Sequence, residues 1–310
     1  MATANGLNPS FDGTVNSDTG FTVNGQAFTG MVETGGNKYF VSRNKTASGD
    51  GKTWANAFKT ITEGFAALNA DYTAAAQPNK GRNGVLYIGE GYYSEVPVTL
   101  TANDCTIICT APGHHDSTVF YGSGTAGSFA GTTTAPAITI SGSNNTIYGL
   151  GVVNISGGLQ PAIKIADGAT SNRFINCTAT KDVVDSCTYG IEDFGNAFTW
   201  IEGCEFTTSC KTAGIRMYSA TNNGIQQVIK NCLFYGTPAG IIVDAASHNL
   251  LIQGNTFSDD TSDTADVIDT PILNNGGVSI NVRDNYAWTT TANLVTGSGT
   301  SKEANNFQLA

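Results

Sequence analysis

Short stretches of alternating apolar and polar residues recur from Pro136 to Trp288, and they are of two kinds. The first opens on a small residue or proline followed by isoleucine: Pro136-Ala137-Ile138, Pro161-Ala162-Ile163, Tyr189-Gly190-Ile191, Ala213-Gly214-Ile215, Ala239-Gly240-Ile241 and Thr270-Pro271-Ile272, at intervals of 24 to 31 residues. The second lies inside each unit: Ile147-Tyr148-Gly149-Leu150, Phe174-Ile175-Asn176-Cys177, Ile201-Glu202-Gly203-Cys204, Ile229-Lys230-Asn231-Cys232, Ile252-Gln253-Gly254-Asn255 and Val282-Arg283-Asp284-Asn285. Period-two alternation over a few positions predicts a short strand with one buried face. Two such strands per repeat, Gly/Asn/Ser-rich turns and no helical periodicity between them predict an all-β chain winding as a parallel solenoid.

Stacking the repeats aligns equivalent positions in columns. Ile138, Ile163, Ile191, Ile215 and Ile241 form one inward column, and Ile140, Ile165, Met217 and Val243 a second, giving a dry core along the axis. Thr139, Lys164, Glu192, Arg216 and Ile242 fall between them and face out; Lys164, Glu192 and Arg216 alternate in sign, as neighbours on adjacent strands should. Glu202, Lys230, Gln253 and Arg283 form another outward column. Cys177, Cys204 and Cys232 share a column with Asn255 and Asn285, and as small interior thiols they are expected to stack in the reduced form.

This repeated Asn/Gly-Cys/Asn step, and the segment Lys38-Tyr39-Phe40-Val41-Ser42 followed by Ser48 to Ile61, resemble the right-handed parallel β-helix proteins of the pectate-lyase-like superfamily, most of all phage tail spikes and other virion-surface β-helices. The resemblance covers roughly residues 38 to 288 and implies a helix that plugs the first coil. Ala57, Phe58, Ile61, Phe65 and Leu68 recur at helical spacing and place that helix near 54–68. The superfamily includes lyases, hydrolases, tail spikes and structural proteins, so the resemblance does not choose a function. No catalytic motif of its polygalacturonases or pectate lyases can be laid on this sequence residue by residue.

Three regions follow. Residues 1–37 form a polar, Gly-rich arm in which Asn24-Gly25, between Phe21-Thr22-Val23 and Gln26-Ala27-Phe28, predicts a type I′ hairpin. Such an arm either gains order by burying Phe11, Phe21, Val23 and Phe28 against a partner, or it is a flexible tail. Residues 38–288 form the β-helix, and 289–310 a C-terminal cap or tail. A net charge of -10 argues against nucleic acid. No run has the length of a membrane span, and Met1 to Gly6 lacks the basic and apolar regions of a secretory signal. Seven cysteines at no zinc-finger spacing fit a chain folded in a reducing host cytoplasm.

Each chemical candidate competes with a plainer reading. Gly51-Lys52-Thr53 imitates a phosphate loop, but the first glycine of that motif is replaced by Thr46. The acidic stretch Ser258 to Asp269 lacks the spacing of a calcium loop. His114-His115-Asp116 has only His248 as a further imidazole, and reads as a turn. No metal and no cofactor is expected. Glycoside cleavage needs two carboxyl groups about 5 to 10 Å apart. Glu192 and Asp193 are the best pair by position, with Glu202 and Glu205 behind them, yet Lys164 and Arg216 beside Glu192 would hold it ionised. Asp193 stands in an apolar column and needs a hydrogen-bonding partner. Phe194 and Tyr218, with Trp200 near in sequence, are candidates for stacking on a sugar ring or for packing at an interface.

The combined reading is a structural or adhesive phage virion protein rather than an enzyme, attached to other virion proteins by its arm, homotrimeric, and in possible contact with host surface polysaccharide. A tail-spike depolymerase on the same fold is the alternative, and a bacterial carbohydrate-binding β-helix the third reading.

Overall fold

The coils turn at recurring positions because a residue able to adopt left-handed backbone recurs there. In the computed structural model Gly149, Asn176, Gly203, Asn231, Gly254, Asp284 and Asn305 all have φ between 52° and 74°, a region that glycine enters freely and Asn or Asp at small cost. The structure describes residues 21–23, 26–28, 36–74, 84–110, 118–122, 133–179, 186–194, 197–208, 210–218, 224–244, 247–259, 268–288 and 293–309.

Three long sheets result, each receiving about one strand per coil. The first has ten strands, from Lys38–Val41 to Ser301–Ala304; the second has nine, from Gly91–Glu95 to Phe307–Leu309; the third has eight, from Val98–Leu100 to Val295–Thr296. Neighbouring coils pair in parallel, for example Ile147 with Phe174, Gly151 with Thr178 and Ile163 with Ile191. The chain is a right-handed parallel β-helix. Each coil has three strands where the pattern indicated two. The missed strand, as short as Glu205–Phe206, follows the left-handed turn at once, so its alternation reads as a continuation of the strand before it. The segments after Trp288, which lack the opening motif, still add a strand to each sheet.

The opening motif has a packing cause. Phe206, Phe234 and Phe257 stack inside the second sheet with centroids 5.2 and 4.9 Å apart. A Cβ on Gly190, Gly214 or Gly240 would meet these rings at 2.4 to 2.6 Å, so the third sheet must offer glycine there. The isoleucine that follows fills the core: Ile138, Ile163, Ile191, Ile215, Ile241 and Ile272 are all buried.

Polar groups that enter the interior are matched coil to coil. Cys177, Cys204 and Cys232 are buried, reduced, and directed at the carbonyls of Ile147, Phe174 and Ile201 in the preceding coils. Asn255 and Asn285 continue the column with more complete bonding. Their Nδ2 atoms donate to the Ile229 and Ile252 carbonyls, while their Oδ1 atoms accept from the N–H groups of Cys232 and Asn255.

The helix, α1, spans Ile61–Ala74 and begins later than the apolar spacing suggested. Phe58 is held in extended pairing with Val41, and Thr60 and Glu63 cap the helix reciprocally, the Glu63 N–H donating to Thr60 Oγ1 and the Thr60 N–H to Glu63 Oε2. Buried Glu95 accepts from the N–H groups of Ile61 and Thr62, which docks the helix on the first coils. Burial pushes the Glu95 carboxyl upward against the pull of those donors.

The arm's two described segments pair with each other antiparallel, Phe21 with Phe28 and Val23 with Gln26. Phe11 lies outside the described residues, as do His114, His115, Asp116 and the acidic positions 260–267.

Replacing Ile215, fully buried, by Asp places an unpaired carboxylate in the core and should cost several kcal/mol. Loss of the cooperative thermal transition, or a fall in Tm of many degrees, is the expected result; an unchanged Tm would contradict this inward column.

Candidate functional site

The outer face of the third sheet collects the charged and aromatic candidates, because its register brings their columns together. Lys164, Glu192 and Arg216 are successive neighbours in one outward column. Phe194, Tyr218 and Asp244 form the next, each N–H donating to the preceding coil, at the carbonyls of Ile165, Asp193 and Met217.

Arg216 is the node. Its Nη1 lies 2.9 Å from Glu192 Oε1 and its Nε 2.7 Å from Asp244 Oδ2, so one guanidinium joins two carboxylates. The same group lies over the Tyr189 and Tyr218 rings, 5.3 and 5.0 Å from their centroids. Asn275 Nδ2 donates to the other Asp244 oxygen at 3.1 Å. Phe194 and Tyr218 meet edge to face at 5.0 Å, and Lys164 Nζ sits 4.6 Å from the Phe194 ring centre.

Glu192 is more enclosed than its outward position suggested, only 7% exposed. Burial pushes its carboxyl upward, although Arg216 and Lys164 pull the other way. Lys164 and Arg216 do stand beside it in the column, as the register predicted. Asp193 does have the partner that its apolar column demanded. Gln227 Nε2 donates to Asp193 Oδ2 at 3.0 Å, both side chains being buried inside the helix.

Glu192 and Asp193 are thus not brought together. Consecutive residues of a strand point to opposite faces, and these two lie one outside and one inside the sheet. The second carboxylate on the outer face is Asp244, which the sequence reading missed; its signal was its place in the column of Phe194 and Tyr218.

Trp200 stands elsewhere, on the first sheet. Its Nε1 donates to Glu202 at 2.8 Å, Lys230 Nζ lies 3.0 Å from that carboxylate and 4.7 Å from the Trp200 ring centre. Though burial acts upward, the indole and Lys230 hold the Glu202 carboxyl below its ordinary range. Glu205 lies on the second sheet. Lys52 of the phosphate-loop imitation rests 3.8 Å over the Tyr39 ring. Among the described residues no group of His, Cys, Asp and Glu is arranged to hold a metal ion.

No family model and no curated protein matches the chain. Solved structures share its fold. A pectin methylesterase from carrot superposes with TM-score 0.56 at 14% identity, covering 90% of this chain and 85% of that one. A pectin methylesterase in complex with a hexasaccharide gives 0.53 at 13% identity, covering 88% and 92%. The enzyme from Aspergillus niger gives 0.52 at 11%, covering 88% and 85%.

Glu192 and Glu202 should titrate in opposite directions from an ordinary glutamate. The folded chain binds the Glu192 proton more tightly than the unfolded chain, so that group adds stability as pH falls from its folded toward its unfolded midpoint. Glu202 does the reverse: its contribution is present above the unfolded midpoint and is lost as pH falls through the folded one. Side-chain carboxyl NMR titration should place the Glu192 midpoint above that of Glu202; the opposite order would contradict the geometry.

Proposed function

We propose that this chain is a non-catalytic β-helix displayed on the surface of a phage particle, anchored by its N-terminal arm and acting as a structural or adhesive protein. The observation that carries the reading is the disposition of the carboxylates: Glu192 is tied to Arg216 on the outer face, and Asp193 to Gln227 inside. A glycosidase needs two carboxyl groups facing one bond, one able to donate a proton. The hairpin of the arm pairs within itself, and this supports a separate attachment piece. Such a piece has too little apolar surface to stand alone. Homotrimerisation satisfies it without an open growing edge. The half-buried Phe194 and Tyr218 offer a contact for a neighbouring subunit or for host polysaccharide.

A second reading, a polysaccharide depolymerase, is favoured by one observation. Glu192, pushed toward protonation by burial, shares a face with Asp244 across Arg216.

Incubation with capsular or cell-wall polysaccharide should release no reducing or unsaturated ends. Release that disappears in a Glu192→Gln/Asp244→Asn variant would replace the first reading by the second. Light scattering should give three times the mass of one chain, and deletion of residues 1–37 should leave a folded β-helix that no longer joins particles. A monomer at micromolar concentration with normal incorporation of the shortened chain would overturn the anchoring role.

A further inference from the structure

Two of the seven thiols lie outside the stacked column and face each other. Cys187 and Cys210 are the first residues of adjacent third-sheet strands, pair across that sheet, and have Sγ atoms 3.9 Å apart. Both are buried. We propose that Cys187 and Cys210 are a redox modification site, closing to a disulfide that staples two successive coils where the chain enters the third sheet.

The geometry favours closure here. Adjacent strands are about 4.8 Å apart, within the separation of about 4.4 to 6.8 Å that disulfides accept between Cα atoms. The register shifts directly afterwards: Cys187 pairs with Cys210, but Tyr189 with Ala213, so the ladder is irregular where the sulfurs must approach. Standing at strand starts, the two residues can be exposed by opening one end of a strand rather than a whole coil.

The chemistry is thiol–disulfide exchange with a small aliphatic disulfide. The thiolate of one cysteine attacks the small disulfide, forming a mixed disulfide and expelling one small thiolate. The second cysteine then attacks the protein sulfur of that mixed disulfide and expels the other. Two protein thiols lose two electrons, the small disulfide gains them, and the two protons end on the two small thiols. Closure ties the strand that carries Glu192 to the strand that carries Arg216, so oxidation would fix the outer face of the third sheet.

The full-length chain is incubated with hydroxyethyl disulfide, alkylated, and cut after Lys and Glu, which separates Cys187, Cys204 and Cys210 onto different peptides. The expected product joins the Cys187 and Cys210 peptides with loss of two hydrogens. Its Tm should rise by several degrees and return on reduction. Cys210→Ala should show neither the link nor the shift; if that variant does not fold, the map of the unmodified chain decides alone. Full alkylation of both thiols after incubation, or a link from either of them to Cys204, would overturn the proposal.

Discussion

Register between coils is the constraint on which this molecule depends. In a parallel β-helix every strand is bonded to its equivalents one coil away, so a residue's neighbours are fixed by its place in the turn. A polar group that turns inward must then find its partner in the same column. The asparagines do this fully: the carboxamide both accepts an N–H and donates to a carbonyl of the preceding coil, as Asn255 and Asn285 do. A thiol in that place offers only a weak donor, but it is small and tolerates an apolar setting. The column changes from Cys232 to Asn255 without a break in the backbone, because both side chains address the carbonyl of the preceding coil.

The same register builds the outer face from the core outward. The Phe206, Phe234 and Phe257 rings demand glycine at Gly190, Gly214 and Gly240, and this fixes the phase of the third-sheet strands. With the phase fixed, Ile191 and Ile215 point in, and Glu192 and Arg216 are left side by side outside. A guanidinium between two carboxylates and two aromatic rings has little freedom to rotate, so the geometry of the face follows from packing on the other side of the sheet.

The parts of this arrangement that were legible in the sequence are those governed by period two. The isoleucine columns, the outward charges and the Cys/Asn column all follow from alternation, and alternation survives irregular loop lengths. The second-sheet strands were not legible, since a single left-handed residue such as Gly203 or Asn231 bends the chain without interrupting its alternation. The start of α1 was obscured because Phe58 obeys helical spacing while its backbone pairs with Val41. The Asp193 environment needed a contact with Gln227 across the interior, and period two within one strand says nothing about that distance. Asp244 was hidden for a related reason, because only the three-dimensional column sets a short carboxylate beside two aromatic rings.

One residue resists the economy of the coils. Asp104, Asn144, Ser171, Gln226, Asn249 and Ser279 occupy left-handed turn positions with φ between 55° and 61°, and Phe198 stands in the same series at 59°. An aromatic residue has no side-chain oxygen to bond the local backbone there, so the conformation costs about 1 kcal/mol or more. Burial does not offset that cost, since Phe198 is 49% exposed. It lies between Phe194, at the end of a third-sheet strand, and Trp200, at the start of a first-sheet strand, so aromatic side chains follow the chain round this corner of the solenoid. Strain without burial is unfavourable to the isolated chain.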